Sequence, residues 1–512
     1  MRGQFGADSP YTRELLQFNW SIAAAAPQDV TPCELPDHSA WTPIDTLAPV
    51  AEALRMLKHW SLDHAPRRFD AQDWWYRLQF DAPPAAEGEC VILGLDGLAT
   101  IAKVWFNGEE LLSSNNMFVA HECDVTARLR PAGNTLLLLF SALDSQLAVR
   151  RKRPRWRAPM IENQQLRWFR TTVLGRTPGW SPPAAVVGPW KDIWLERRRH
   201  FELSGVRLDA QVQGTSGTVQ CYLDWVALGD ADVESIEIQL EGHGSSLSEC
   251  LQRAGNSFRG ELHVPEVKRW WPHTHGQPNL YSVSLLVRMV GVVQVTSINL
   301  GRVGFRTILL NCTGGDFSIS INGVQVFCRG ACWTPLNPVT LRSSVGDCLV
   351  AVEQARAAGM NMLRVAGTMV YEEDHFYDAC DELGILVWQD FMFANMDYPC
   401  DDATFMQSVD AEVSQQLERL RSKASLALLC GNSEVAQQAA MWGAPRELWQ
   451  SPLFDDTLAR RCADILPATP YWPSSAYGGA FPHQGDAGTT SYYGVGAYLR
   501  GFDDARRSKL KF

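Results

Sequence analysis

The sequence predicts a multidomain chain with β and α/β parts, in which two β-sandwiches precede a region of alternating strands and helices. Three observations predict this fold class. The chain has 512 residues, more than one domain of ordinary size holds. Strand-like runs separated by turn signals fill it up to about residue 308, and short apolar runs then alternate with segments of helical periodicity. We therefore expect domains at 1–200, 201–308 and 309–512.

The composition restricts the class of protein and its partners. With 46% hydrophobic and 20% charged residues, the chain is not of the disordered type. The net charge of −11 disfavours nucleic acid as a partner. No apolar leader and no run of about 18 apolar residues occurs, so we expect a cytoplasmic protein with no membrane partner. Nineteen Trp suit packed β cores and also the apolar faces of sugar rings.

The cysteines predict reduced thiols. They number thirteen, an odd count, and are scattered from Cys33 to Cys462, which is unlike a disulfide framework. Cys328 and Cys332 form the closest pair, but no nearby His or Cys completes a zinc pattern. We therefore expect no metal and no cofactor.

The first 200 residues predict a β-sandwich. Strand-like runs include 74–80, 90–98 and 134–143, and Asn107-Gly108 is a strong hairpin signal because both residues tolerate positive φ. The basic, proline-containing segment 150–159 (RRKRPRWRAP) predicts a long solvated loop on the surface.

The next hundred residues predict a second sandwich. The runs 218–228, 235–242 and 280–290 alternate between apolar and polar side chains. About one hundred residues of this pattern are typical of an immunoglobulin-like domain.

The remaining residues predict part of a (β/α)8 TIM barrel. Gly359 and Gly384 lie where the left-handed ends of helices are expected. In such barrels the chemistry lies at the C-terminal ends of the strands. The predicted strands are 326–333, 360–365, 384–391, 425–432 and, more weakly, 467–474.

Glu434 follows the strand LALLC at 426–430 in the stretch LALLCGNSEV. Two interpretations of this position stay open. The carboxylate belongs to an active site at the strand end, or it opens the following helix, where a negative charge favours the helix dipole.

Several segments, in order and spacing, resemble glycoside hydrolase family 2 and within it the β-mannosidase branch. The N-terminal segment GLDGLATIAKVWFNG (94–108) is similar to the family's jelly-roll-like sugar-binding sandwich, and GRVGFRT (301–307) to its junction with the barrel. The other segments are RWWPHTHGQPNLY (269–281), RGACWTPLNP (329–338), GMNMLRV (359–365), FYDACDELGILVWQDFMFANMDYP (376–399) and LLCGNSE (428–434).

The resemblance implies a retaining exo-β-glycosidase that removes terminal β-linked mannose from oligosaccharides or glycoconjugates. Glu434 matches the family's general acid/base, a carboxyl that has to donate a proton at neutral pH. Asn432 and Ser433 precede it where the family usually has Asn-Asn. The second Asn normally hydrogen-bonds the sugar 2-hydroxyl, and Ser433 takes its place here.

Four further residues are candidates for substrate binding by the same resemblance. Arg364 matches the family's active-site Arg, with a structural ion pair as the alternative. Trp388 and Asp390 follow the third strand, where the indole is either a platform for a sugar or part of the core. Trp180 lies where β-mannosidases typically carry a Trp-Asp-Trp loop, but the sequence reads Pro178-Gly179-Trp180. Because the carboxylate is absent, β-glucuronides, β-galactosides and β-glucosaminides stay open as substrates.

The family's nucleophile, a Glu after the seventh barrel strand, has no match. The last Glu is Glu447, and Asp486 is the one later Asp we consider as a replacement. We count five strands, with KLKF (509–512) as the possible start of a sixth, where a barrel needs eight. The sequence therefore predicts a truncated barrel that is inactive alone, with a non-catalytic sugar-binding protein as the alternative. The oligomeric state is left open.

Overall fold

A computed structural model describes residues 10–27, 41–495 and 498–507. The first domain is built from antiparallel strands, and strands lie in the runs that the sequence predicts. Its strands are β1 (Tyr11–Leu15), β2 (Trp20–Ala25), β3 (Thr42–Ile44), β4 (Asp73–Phe80), β5 (Glu89–Leu95), β6 (Leu98–Ala99), β7 (Ala102–Phe106), β8 (Glu109–Ser114), β9 (His121–Asp124), β10 (Asn134–Phe140), β11 (Gly188–Pro189) and β12 (Ile193–Arg199), with helices α1 (Val50–Met56) and α2 (Leu143–Leu147).

Ten of these strands form a sandwich of two sheets, and β6 and β11 pair in a separate two-stranded sheet. One sheet has the order β1-β12-β5-β9, and the other has the order β3-β2-β4-β10-β7-β8. Leu93 and Leu195 from the first sheet pack against Tyr76 and Leu138 from the second. Asn107-Gly108 joins β7 to β8 with positive φ at both residues, which confirms the predicted hairpin.

A second pair of antiparallel sheets follows. The sheets have the orders β13-β14-β18-β17 and β16-β15-β19-β20, and their inward-facing side chains share one core. The strands are β13 (Phe201–Gln213), β14 (Ser216–Ala227), β15 (Val233–Gly242), β16 (Ser245–Cys250), β17 (Gln252–Ala254), β18 (Ser257–Val264), β19 (Tyr281–Met289) and β20 (Thr296–Val303).

The third region begins with a small antiparallel sheet and continues with a parallel one. The small sheet holds β21 (Ile308–Asn311), β22 (Ser318–Ile321) and β23 (Val324–Val326). The parallel sheet has its strands in chain order: β24 (Gly330–Trp333), β25 (Met362–Val365), β26 (Leu386–Asp390), β27 (Leu426–Cys430) and β28 (Tyr471–Trp472). The helices are α3 (Val345–Ala357), α4 (Asp374–Leu383), α5 (Ala403–Leu420), α6 (Val435–Met441), α7 (Leu458–Ile465) and α8 (Phe502–Arg507).

The sequence predicts one strand over the apolar run 326–333, but the structure divides this run between two strands. Val326 ends β23 in the small antiparallel sheet, and β24 begins the parallel sheet four residues later. Periodicity does not separate two short strands when apolar residues lie on both sides of the break. The predicted helix ends are confirmed, since Gly384 is left-handed at the end of α4 and Gly359 has a positive φ just after α3.

The basic segment 150–159 is less solvated than the sequence predicts. Trp156 is buried in the core shared by the first domain and the parallel region. The backbone N–H of Arg155 donates to Asp397, and its guanidinium also bonds that buried carboxylate at 2.6 and 2.8 Å. The prediction was wrong in this respect because the partner, Asp397, lies in a loop more than two hundred residues further along the chain.

Three further findings concern the part of the chain that the structure describes. No helix there is long and apolar enough to cross a membrane. No group of three or more His, Cys, Asp or Glu side chains there has an arrangement able to hold a metal ion. Twelve cysteines are free thiols, and Cys33 lies outside the described residues.

Candidate active site

The parallel sheet brings the candidate residues of three strands to one edge. In the register of β25 and β26, Arg364 lies beside Trp388, and in that of β26 and β27, Asp390 lies beside Cys430. Because the strands are parallel, their carboxyl ends meet at the same edge of the sheet. The segment 432–434 leaves β27 at that edge.

Glu434 has an unusual backbone conformation. Its φ of 62° and ψ of 15° lie in the left-handed region, which costs a residue with a side chain about 1 to 2 kcal/mol. The neighbouring chain holds it there: its N–H donates to the carbonyl of Ser475 at 2.6 Å, and its carbonyl accepts from the N–H of Gln438 at 2.8 Å. A strained residue at a strand end is typical of functional sites.

The geometry does not fit the interpretation of Glu434 as a helix cap. Glu434 occupies the N-cap position of α6, but its side chain makes no capping hydrogen bond. Asn432 bonds the first N–H of the helix instead, because its Oδ1 accepts from the N–H of Val435 at 3.0 Å. The Glu434 carboxylate is therefore left for other contacts.

Both oxygens of the partly buried Glu434 carboxylate accept hydrogen bonds. Oε2 accepts from the side-chain amide of Gln438 at 3.0 Å, and Oε1 accepts from the hydroxyl of Tyr493. Burial and then the adjacent carboxylate raise the pKa of Tyr493 to about 12, so this hydroxyl keeps its proton at neutral pH. Sequence reasoning missed both partners. Gln438 has a signal, since it lies four residues after Glu434 on a helix, whereas Tyr493 has none.

Asn432 and Ser433 are both buried and mainly support the turn. The Asn432 amide donates to the carbonyl of Pro473 at 3.1 Å, and its oxygen also accepts from the hydroxyl of Ser474 at 2.7 Å. The Ser433 hydroxyl lies 3.4 Å from Nη2 of Arg364. Of the two, Ser433 contacts a candidate binding residue directly.

Arg364 and Asp390 form a buried ion pair. Nη2 of Arg364 donates to Oδ2 of Asp390 at 2.7 Å, and the same oxygen accepts from the N–H of Gly367 at 3.0 Å. Burial by itself lowers the pKa of Arg364, but the Asp390 carboxylate beside it shifts that pKa above its ordinary value, so the guanidinium stays charged. Arg364 therefore does form the structural ion pair that the sequence leaves open as its alternative role. The pair holds a positive charge at the ends of the strands.

Trp388 is packed rather than open to a ligand. Its indole is 3% exposed, and its N–H donates to Oδ1 of Asp390 at 2.8 Å. The ring stacks on Phe317 at 5.7 Å, and the Arg364 guanidinium lies 5.5 Å from its centroid. The geometry favours the core interpretation over a sugar platform, because neither face is free for a sugar ring.

Trp180 is not brought into this group of contacts. Its side chain is 45% exposed, and in the described parts of the chain no hydrogen bond or ring contact joins it to Glu434 or Arg364. The preceding segment does approach the strand ends: the hydroxyl of Thr172 donates to the carbonyl of Met369, just beyond β25, at 2.8 Å. A role of Trp180 in binding stays a prediction.

The two late carboxylates that the sequence singles out are both exposed. Asp486 accepts from the amide of Gln484 at 2.7 Å, and Glu447 lies in a short turn after α6. Within the described ranges neither has a hydrogen bond to Glu434 or Tyr493. The segment 509–512, a possible sixth strand, lies outside the described residues.

Comparisons with known proteins agree with this architecture. A sequence model of the glycosyl hydrolase 2 galactose-binding domain-like family matches residues 60–191. The chain is 30% identical over 447 residues to β-mannosidase B of Thermothelomyces thermophilus. The aligned region covers 82% of this chain and 52% of that protein.

Two solved structures extend the comparison. The β-D-mannosidase of Dictyoglomus thermophilum superposes with a TM-score of 0.84 at 26% identity, over 98% of this chain and 62% of that one. β-Glucuronidase 2 of Bacteroides uniformis superposes with a TM-score of 0.66 at 15% identity, over 90% of this chain and 52% of that one. At this identity the likeness shows the fold alone.

These comparisons confirm the resemblance to glycoside hydrolase family 2 and to its β-mannosidase branch. They also confirm a multidomain, mostly β architecture that includes a galactose-binding-like domain. The chain spans about half the length of the curated relatives it matches.

Proposed function

We propose that this chain carries the acid/base half of the active site of a retaining exo-β-glycosidase that acts on terminal β-linked mannose in oligosaccharides or glycoconjugates. Glu434 is the general acid/base. The observation that carries the proposal is the strained Glu434 at the end of a parallel strand, whose carboxylate does not cap its helix. The β-mannosidase names of its relatives support the substrate class.

The proposal includes the finer description of the fold. The ranges 1–200, 201–308 and 309–512 are a sugar-binding sandwich, an immunoglobulin-like domain and part of a (β/α)8 barrel. Five parallel strands in chain order, with helices between them, support the barrel. The two four-stranded sheets between 201 and 303 support the middle domain.

In this mechanism Glu434 gives a proton to the glycosidic oxygen in the first step. It then takes a proton from water in the second. The Arg364–Asp390 pair keeps a cation beside Ser433, where it stabilises negative charge or binds a sugar hydroxyl. Its buried position makes this contact stronger than it would be in water.

A retaining reaction needs a nucleophilic carboxylate roughly 5 to 5.5 Å from the acid/base. Asp390 does not suit this role, because Arg364, Gly367 and Trp388 already donate hydrogen bonds to it. Asp486 is exposed and bonded to Gln484. The proposal therefore assigns no nucleophile among the described residues.

Two substitutions bear on the sugar. Ser433 stands in place of the Asn that reads the 2-hydroxyl, and Gly179 in place of the acidic residue of the Trp-Asp-Trp loop. Loss of a charged partner weakens discrimination between epimers. The alternatives are a family 2 hydrolase of another β-glycoside and a non-catalytic sugar-binding protein. A cytoplasmic location is likewise a proposal, which cell fractionation tests.

The test combines turnover with binding. The purified chain is assayed against chromogenic β-mannoside, β-glucuronide, β-galactoside and β-glucosaminide, and its binding of mannose is measured by calorimetry. Glu434→Gln is compared with Glu447→Gln, an exposed carboxylate outside the site. We expect any turnover to favour the β-mannoside and to fall about 10²- to 10⁴-fold only in Glu434→Gln.

Without turnover, the binding measurement decides. We expect the chain to bind mannose and Arg364→Met to abolish that binding, because the substitution removes the cation beside Ser433. Turnover that persists unchanged in Glu434→Gln contradicts the role of Glu434. A chain that neither cleaves nor binds any of these sugars contradicts the proposal as a whole.

A further inference from the structure

Three side chains that form hydrogen bonds lie in one row along α6 and its two ends. Glu434, Gln438 and Trp442 are four residues apart, so they project from the same face. The indole N–H of Trp442 donates to Oε1 of Gln438 at 2.8 Å, and Nε2 of Gln438 donates to Oε2 of Glu434 at 3.0 Å. The row is a directed chain of hydrogen bonds that ends on the Glu434 carboxylate.

Trp442 determines which way the Gln438 amide points. An indole N–H only donates, so the amide atom that faces it has to be the oxygen. The nitrogen of the amide then faces Glu434. This assignment follows from donor and acceptor chemistry rather than from the placement of the two similar amide atoms.

The orientation has a consequence for the proton of Glu434. An amide NH₂ donates and does not accept, so a proton on Oε2 of Glu434 cannot point toward Gln438, and the bond from Nε2 favours Oε2 as the carbonyl oxygen of the protonated acid. Oε1 faces the Tyr493 hydroxyl, which either donates or accepts. With its proton on Oε1, a protonated Glu434 therefore keeps its carbonyl oxygen opposite the Gln438 amide and its O–H opposite the Tyr493 hydroxyl.

We propose that Gln438, oriented by Trp442, is a positioning residue that directs the transferable proton of Glu434 to Oε1, opposite the Tyr493 hydroxyl. This inference rests on the proposed role of Glu434 as general acid/base. In the acid step the O–H bond at Oε1 breaks, the proton passes to the glycosidic oxygen, and the electron pair stays on Oε1. The glycosidic oxygen thus approaches from the side of Tyr493.

Infrared difference spectroscopy of the full chain tests the proposal without turnover. The parent spectrum minus that of Glu434→Gln, recorded as a function of pH, isolates the C=O stretch of the protonated Glu434 carboxyl. Gln438→Met keeps the size of the buried side chain and removes the donor. We expect the stretch to move to higher frequency, because the carbonyl oxygen loses the hydrogen bond that the Gln438 amide donates.

A second variant separates a relay from a merely structural effect. Trp442 is 53% exposed, so Trp442→Phe is compatible with folding. We expect a smaller shift in the same direction, and no further shift when Trp442→Phe is added to Gln438→Met, because Trp442 acts only through Gln438. Tyr492→Phe is the control, since the Tyr492 hydroxyl bonds Asp504.

An unchanged band in Gln438→Met overturns the proposal, and so does a Trp442→Phe shift that adds in full to it. The infrared band reports on the Glu434 carboxyl directly. The measurement therefore tests the role of Gln438 whether or not the chain has the proposed glycosidase activity. A failed proposed function and a failed relay therefore give different results.

Discussion

Replacement of Glu412 by Gln tests how the first domain is held against the strand ends. Arg170, from the first domain, is 1% exposed and binds the fully buried Glu412 of α5 through Nε and Nη2 at 2.8 and 2.7 Å. Tyr371 and Asn116 donate to the same carboxylate at 2.9 and 3.1 Å. Four donors thus converge on two oxygens.

The substitution turns one oxygen into an NH₂ group that faces two of these donors and leaves the Arg170 charge unpaired. Removal of one partner of a buried pair costs about 3 to 5 kcal/mol. The matched control is Glu382→Gln, which breaks an ion pair with Arg302 whose side chains are 45% and 37% exposed. Exposed pairs contribute about 0 to 1 kcal/mol.

The assay is urea unfolding followed by near-UV circular dichroism, together with amide hydrogen exchange of α5. Amide hydrogen exchange measures local opening of α5 separately from global unfolding. This measurement is needed because a multidomain chain does not unfold in one step. We expect α5 to lose protection in Glu412→Gln only, and Arg170→Met combined with Glu412→Leu to recover much of the loss. Equal free energies of unfolding for Glu412→Gln and Glu382→Gln would refute the reasoning.

Three further predictions concern the strand ends and their surroundings. Burial raises the pKa of Glu372 from 4.5 to about 7, so the folded state binds the proton more tightly than the unfolded state. The free energy of unfolding therefore falls as pH rises between these two values, by about 3 kcal/mol in all. Chemical unfolding at pH 5 and pH 8 should show this fall in the parent and not in Glu372→Gln. Glu434→Gly should be about 1 kcal/mol more stable than Glu434→Ala, because only Gly adopts the left-handed conformation without strain, and equal urea midpoints would contradict this. Arg155→Ala should increase proteolysis within 150–159, since it leaves the buried Asp397 with fewer donors; an unchanged cleavage rate, relative to Arg153→Ala as control, would show that the loop is held by other contacts.

Local patterns predicted the elements of this fold well. Parallel strands occur within all five predicted runs, and the Asn107-Gly108 hairpin and the Gly384 helix end are where the sequence places them. Each of these depends on periodicity or on the backbone preference of one or two residues, which a sequence contains directly. The split of 326–333 into β23 and β24 was missed because both halves are apolar.

Contacts between distant segments were harder to predict. The docking of Arg155 on Asp397 and the bond from Tyr493 to Glu434 join residues far apart in the chain, so neither has a local signal. Gln438 is different, because its spacing of four from Glu434 on a helix makes a contact expected. Its partner Trp442 repeats that spacing, so the row on α6 was available to sequence reasoning once Glu434 had been singled out.

The strain at Glu434 explains why so many neighbours surround the end of β27. Ser433 forms bridges to Ala394 on one side and Ser475 on the other, and the Glu434 N–H bonds Ser475 as well. A left-handed Glu that costs about 1 to 2 kcal/mol persists only where such contacts over-determine the backbone. The same contacts keep the Glu434 carboxylate out of the capping position that a relaxed backbone would favour, and so hold it against Gln438 and Tyr493. The function proposed for Glu434 therefore depends on β26, β27 and β28 together, because each adjacent strand continues into one of the segments that hold the turn.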